Sequence, residues 1–92
     1  MVFLKKSYVS DAILIVVVES AREVMYYLKK YIYLSIGSGC QITFVEESKF
    51  PFLNYAQLIG SVDCYITGHL RSKEFSYVEM AYNMGKDIIS AQ

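Results

Sequence analysis

The sequence predicts a single small α/β domain in three layers, with a four-stranded parallel sheet in strand order 2-1-3-4 between helices. Three observations predict it. Residues 12–18, AILIVVV, are an unbroken apolar run ending in β-branched residues, and a strand with no polar face must be covered on both sides. Strand-like and helix-like stretches then alternate with short connections, which forces parallel pairing through right-handed crossovers. Finally, 92 residues leave room for one domain only.

Composition bounds the function. Hydrophobic residues make up 54% of the chain, more than so small a sphere can hide, so part of the apolar surface is expected to meet a second subunit. Nine basic and nine acidic residues cancel, which argues against a general nucleic-acid binder, whose affinity rests on neutralising phosphates. No apolar run reaches the ~18–20 residues of a membrane span. Lys5 and Lys6 precede an apolar run, but Glu19 and Arg22 follow it without a small-residue cleavage site. A cytoplasmic chain is expected. Cys40 and Cys64 fall in apolar strand-like stretches, outside any C-x-x-C pair. They read as small buried hydrophobes, and neither a metal nor another cofactor is expected.

Residues 1–9 resist a clean period and read as a short helix or an extended lead-in. After the first strand, Ser20 and Glu23 have the spacing of a capping box. The helix they open is predicted to reach Leu34 or Ser35, before Gly37-Ser38-Gly39. Its core face would hold Val24, Leu28, Tyr31, Ile32 and Ser35, with Tyr27 at its margin, and its outer face Arg22, Tyr26, Lys29, Lys30 and Tyr33. The second strand is Cys40–Val45, more polar and therefore placed at an edge. Pro51 opens a short second helix with Phe52, Tyr55, Ala56 and Ile59 at helical spacing, closed by Gly60. Val62–Thr67 is the third strand. Ser72 caps a third helix running to Met84, with Phe75, Val78, Ala81 and Tyr82 as its buried arc and Glu79 in solvent. Asp87–Ala91 is the fourth strand. The sum is a doubly wound, flavodoxin- or Rossmann-like sheet cut short.

In such a sheet ligands bind beyond the carboxyl ends of the strands, where strand order reverses. Here that point lies between the first and third strands. Glu19 and Ser20 lie past one; Gly68, His69, Arg71 and, at the next helix start, Glu74 lie past the other. Amides at two helix starts would favour a small anion or nucleotide there. No G-x-G-x-x-G fingerprint is present.

Two resemblances are carried by residues 62–92. The run Asp63-Cys64-Tyr65-Ile66-Thr67-Gly68, with Gly85 and Ile88-Ile89-Ser90-Ala91, resembles the dinuclear-metal family related in name to type 2 GTP cyclohydrolases. That family has an acid where His69 stands and a later Gly-His, so the likeness implies a fold without its metal ligands. Ala81, Gly85, Lys86 and Ile88-Ile89 are similar to the closing segment of nucleoside deoxyribosyltransferase-like proteins. Alignment on those residues puts Tyr77 at the nucleophile position, so the activity is not implied. The tyrosine-rich composition also resembles that of small proteins from thermophilic archaea and their viruses.

The reading is a small binding or assembly module, holding an anion or nucleotide at the carboxyl edge of its sheet. The alternative is a minimal enzyme acting on a nucleotide-like substrate through Glu19, His69 and Glu74. Tyr26 and Tyr33, seven residues apart and flanked by Met25 and Leu34, predict a homodimer through the first helix.

Overall fold

The computed structural model describes residues 1–6, 12–67 and 75–90. Its elements are β1 (Val2–Lys6), β2 (Ala12–Val18), α1 (Val24–Ser38), β3 (Gln41–Glu46), α2 (Tyr55–Ser61), β4 (Cys64–Thr67), α3 (Phe75–Asn83) and β5 (Asp87–Ser90). The five strands form one mixed sheet in the order β3-β2-β1-β4-β5. β1 runs antiparallel to both its neighbours, while β2–β3 and β4–β5 are parallel pairs.

This overturns the predicted four-stranded parallel sheet and its 2-1-3-4 order. The lead-in at residues 1–9 contributes the middle strand, inserted between the two strands expected to be neighbours. The class is α+β with a mixed sheet, not a truncated doubly wound fold. The physical reason lies in the side chains of β1. Val2 and Phe3 are both fully buried, on opposite faces, so this short run is covered on both sides just as residues 12–18 are. Val2 pairs with Val16 on one side and Ile66 on the other. With Lys5 and Lys6 exposed at its far end, only three or four positions carry the signal.

Helices cover both faces. Val2, Leu14, Val16 and Val18 pack with Tyr27 and Tyr31 of α1. Phe3, Val17 and Tyr65 pack on the other face with Ile59 of α2 and Ala81 of α3. Phe3 meets Tyr65 edge-to-face, ring centroids 4.8 Å apart. Each such fully buried apolar side chain contributes about 1.5–3 kcal/mol over leaving it in water.

Several element boundaries differ from expectation. Residues Ala21–Glu23 form a 3-10 turn before α1, and the Glu23 carboxylate accepts from the Glu19 amide at 3.1 Å. The Ser20 side chain makes no cap bond, so the expected reciprocal box is half realised and shifted by one residue. α1 continues through Gly37 to Ser38 and stops where Gly39 takes φ +70°, a conformation glycine adopts without strain. α2 begins after Asn54, whose side chain accepts from the Gln57 amide, and Phe52 stands in solvent rather than on a helix.

Two predicted core arcs also rotate. On α1, Tyr27 is buried and Ile32 is exposed. On α3, Phe75 and Tyr82 are exposed at 61% and 73%, while Ala81 is fully buried. Glu79 is exposed, as the wheel predicts. Both cysteines are buried and free. β3 and β4 stand three strand spacings apart, about 14 Å, twice the reach of a disulfide.

Candidate functional site

The carboxyl ends of β2, β3, β4 and β5 share one edge of the sheet, since all four run against β1. The expected crevice between the ends of β2 and β4 is occupied by the start of β1. The Met1 nitrogen donates to the Val17 carbonyl at 2.9 Å, and the Val17 amide donates to the Met1 carbonyl at 2.8 Å. Met1 itself is buried. The two strand ends are therefore not adjacent, and the geometric basis for a ligand crevice there is gone.

Of the predicted ligand residues, Glu19 is exposed and Ser20 half-buried just past β2. The Ser20 carbonyl accepts from the Glu23 amide at 3.2 Å. Gly68, His69, Arg71 and Glu74 lie outside the described residues, as does the predicted cap Ser72. Among the described residues, no group of three or more His, Cys, Asp or Glu side chains is placed to hold a metal ion.

A different titratable cluster lies past β3. The Tyr55 hydroxyl donates to the Glu47 carboxylate at 2.6 Å, and the Tyr55 ring stacks on Tyr77 with centroids 4.5 Å apart. Burial first, and then the bond to Glu47, push the Tyr55 phenol well above its ordinary value. A phenol held neutral in this way ties the end of β3 to α2 and α3, and it neither gives nor takes a proton near neutral pH. Beside it a shallow cleft of about 390 Å³ is lined by Lys49, Phe50, Phe52, Leu53 and Gln57. Among the described residues that line it, the cation is Lys49, which sits 3.6 Å from Glu46 on an exposed turn. Sequence reasoning missed this cluster because Tyr77 reaches Tyr55 only through packing of α2 on α3, and Glu47 faces Tyr55 only across the connection between β3 and α2.

Thiol chemistry is disfavoured at Cys64. Burial, with Asp87 and Asp63 adding, pushes its thiol up, away from the reactive thiolate.

The outer face of α1 is the remaining feature. Val24, Tyr27 and Tyr31 repeat at three- and four-residue steps and turn inward, with Leu28 half-buried beside them. That leaves Met25, Tyr26, Ile32, Tyr33 and Ile36 exposed at 57%, 57%, 38%, 63% and 81%. Met25 and Ile32, like Tyr26 and Tyr33, stand seven residues apart, so they form one stripe along the helix. Tyr26 and Tyr33 stand where the sequence placed them, and Met25 with them; the Leu34 side chain is outside the described residues. Ile32 and Ile36 are interface candidates that sequence reasoning assigned elsewhere or passed over.

No family model, curated protein or solved structure matches this chain. Among the described residues, no helix is long and apolar enough to cross a membrane.

Proposed function

We propose that this protein is an assembly module that self-associates through the outer face of α1. The observation that supports this reading is the exposed stripe of Met25, Tyr26, Ile32, Tyr33 and Ile36. A protein surface rarely exposes this much apolar area on one face of a helix. At the exposures above, the stripe presents on the order of 600 Å² per copy, approaching the ~800 Å² per partner of a standard interface. Tyrosine is enriched in interface centres, and Lys29, four residues from both Met25 and Tyr33, lies within the stripe, where its stem can cover apolar surface. Arg22 stands before the first turn of α1.

A two-fold antiparallel pairing of the helices fits the stripe. With the axis between positions 30 and 31, Met25 meets Ile36 of the second copy, and the Lys29 stem lies along Ile32 while its ammonium reaches water. α1 carries two lysines and no acidic residue, so the two copies repel electrostatically, and added salt should strengthen the contact by screening.

The test is sedimentation at micromolar concentration, comparing the parent with Tyr26→Glu plus Tyr33→Glu. The double variant should lower the average mass. A monomeric parent, or a variant of unchanged mass, overturns the proposal.

A further inference from the structure

We propose a second self-association surface, independent of α1: the open edge of β5, paired antiparallel with β5 of another copy and roofed by α3 of both. The first observation is backbone chemistry. β5 pairs with β4 alone among the described strands. The Asp87 amide donates inward to the Asp63 carbonyl at 3.3 Å, and the Ile89 carbonyl accepts from the Thr67 hydroxyl at 3.3 Å. In a parallel ladder alternate residues turn both amide and carbonyl toward the neighbour, so Ile88 and Ser90 direct theirs outward. A row of outward amides and carbonyls is completed by another strand.

Of the usual guards this edge carries its shortness and a single charge, Asp87. Its sequence, DIIS, contains no lysine or proline. Lys86, immediately before it, is turned away: its ammonium donates to the Gly60 carbonyl at 3.1 Å. Ile88 and Ile89 are 37% and 49% exposed on opposite faces. By contrast, the other edge strand, β3, exposes Gln41 and Thr43.

The third observation is the roof. Tyr77 marks the side of α3 that meets α2, through its stack on Tyr55. At 100° per residue, Phe75 and Tyr82 lie roughly 150° round from Tyr77, on the flank away from α2. Since α3 covers β4 and β5, that flank overhangs the edge on the same face as Ile88, which pairs with Tyr65. Phe75, Tyr82, Ile88 and Ile89 together expose on the order of 500 Å² around a strand edge.

A second copy is the occupant that the pattern fits. An antiparallel two-fold axis stands perpendicular to the sheet and keeps each face on its own side, so pairing centres on a residue. Centred on Ile88, it sets Ile88 against Ile88, Asp87 against Ile89 and Lys86 against Ser90, with no like charges opposed. The two sheets become one of ten strands, and both α3 flanks meet over the joint. Together with the α1 contact, each copy would have two unlike two-fold interfaces, which build assemblies larger than a dimer.

The test uses Ile88→Lys and Tyr82→Glu, each alone and each combined with Tyr26→Glu plus Tyr33→Glu, read by sedimentation with amide exchange at Ile88 and Ser90. The α1 double variant should still associate. Adding either change at this edge should weaken that residual association at least tenfold. The Ile88 and Ser90 amides should exchange slowly only at concentrations where it persists. Tyr82 is highly exposed, so its substitution spares the fold if Ile88→Lys does not. Residual association unaffected by Tyr82→Glu, concentration-independent exchange at these amides, or an α1 variant that is already monomeric overturns the proposal. The α1 interface can fail while this one stands, because the edge substitutions also act in the parent.

Discussion

The two parallel pairs of the sheet are built from similar sequence and do opposite work. β2 and β3 pair over six positions, from Ile13 with Gln41 to Val18 with Glu46, and β2 is enclosed between α1 and the opposite helical layer. β4 and β5 pair over four positions, and the two isoleucines of β5 stand partly in water. Leu14 is completely buried and Ile89 half-exposed, although each sits in a run of aliphatic residues. Hydrophobic character alone therefore does not say which strand stabilises the fold and which remains available for contact. Position in the sheet decides it: a strand with two neighbours and two helical covers has nowhere to meet water.

β1 is what separates the two pairs, and removing its anchor should have the largest effect. Phe3→Ala should destabilise by about 3–5 kcal/mol, read as a drop in the urea midpoint. A loss below about 1 kcal/mol would mean that residues 1–6 are a dispensable arm after all. Next, Leu14→Ala should cost about 2–5 kcal/mol, whereas Ile89→Ala should cost under about 1 kcal/mol when measured at monomeric dilution. Equal costs would erase the contrast between the pairs.

A smaller effect of opposite sign is expected under α1. Among the described residues the buried Tyr31 hydroxyl has no hydrogen-bond partner, and such a group costs about 1–3 kcal/mol to bury. Tyr31→Phe should leave stability unchanged or raise it by about 1 kcal/mol in equilibrium unfolding. A clear loss would show that the hydroxyl has found a partner.

The smallest effect is a pH dependence that spans both faces. Burial, with Tyr33 and Tyr26 adding, raises the Tyr31 phenol, and burial with the Glu47 bond raises Tyr55 on the opposite side. Both folded values exceed the ordinary ~10. The unfolded chain therefore loses these protons first, so this contribution is whole below about pH 10 and declines above it. Urea midpoints taken between about pH 9 and pH 11 should fall, and fall less in Tyr55→Phe. A flat profile would mean that water reaches both phenols.

Much of the element list was legible because it rests on local patterns. The run 12–18 announces a covered strand by composition, Gly85 takes φ +75° where α3 must stop, and Glu79 falls on the solvent side of its helix by spacing alone. The candidate contact surface was partly legible for the same reason: Tyr26 and Tyr33 repeat at seven residues on the side of α1 away from its core stripe. The anion crevice was a different kind of inference, since it required two strands to be neighbours. Its residues past β4 lie outside the described segments, and its floor is filled by Met1.

What the sequence determined by itself was where short-range patterns are strong: the apolar strand 12–18, the three helical stretches, and the burial of the two cysteines. Only the tertiary structure decided the rest. β1 carries too few residues to show a period, yet its amides and carbonyls are paired on both sides and its Val2 and Phe3 fill opposite cores. The same holds for Ile32, Phe75 and Tyr82, apolar residues on the margins of their wheels. Whether a marginal residue is buried depends on how many strands lie beneath its helix. α3 sits at the end of the described sheet, so among the described residues its outer flank finds no further strand to cover it, and the surface left there is set by where the sheet stops.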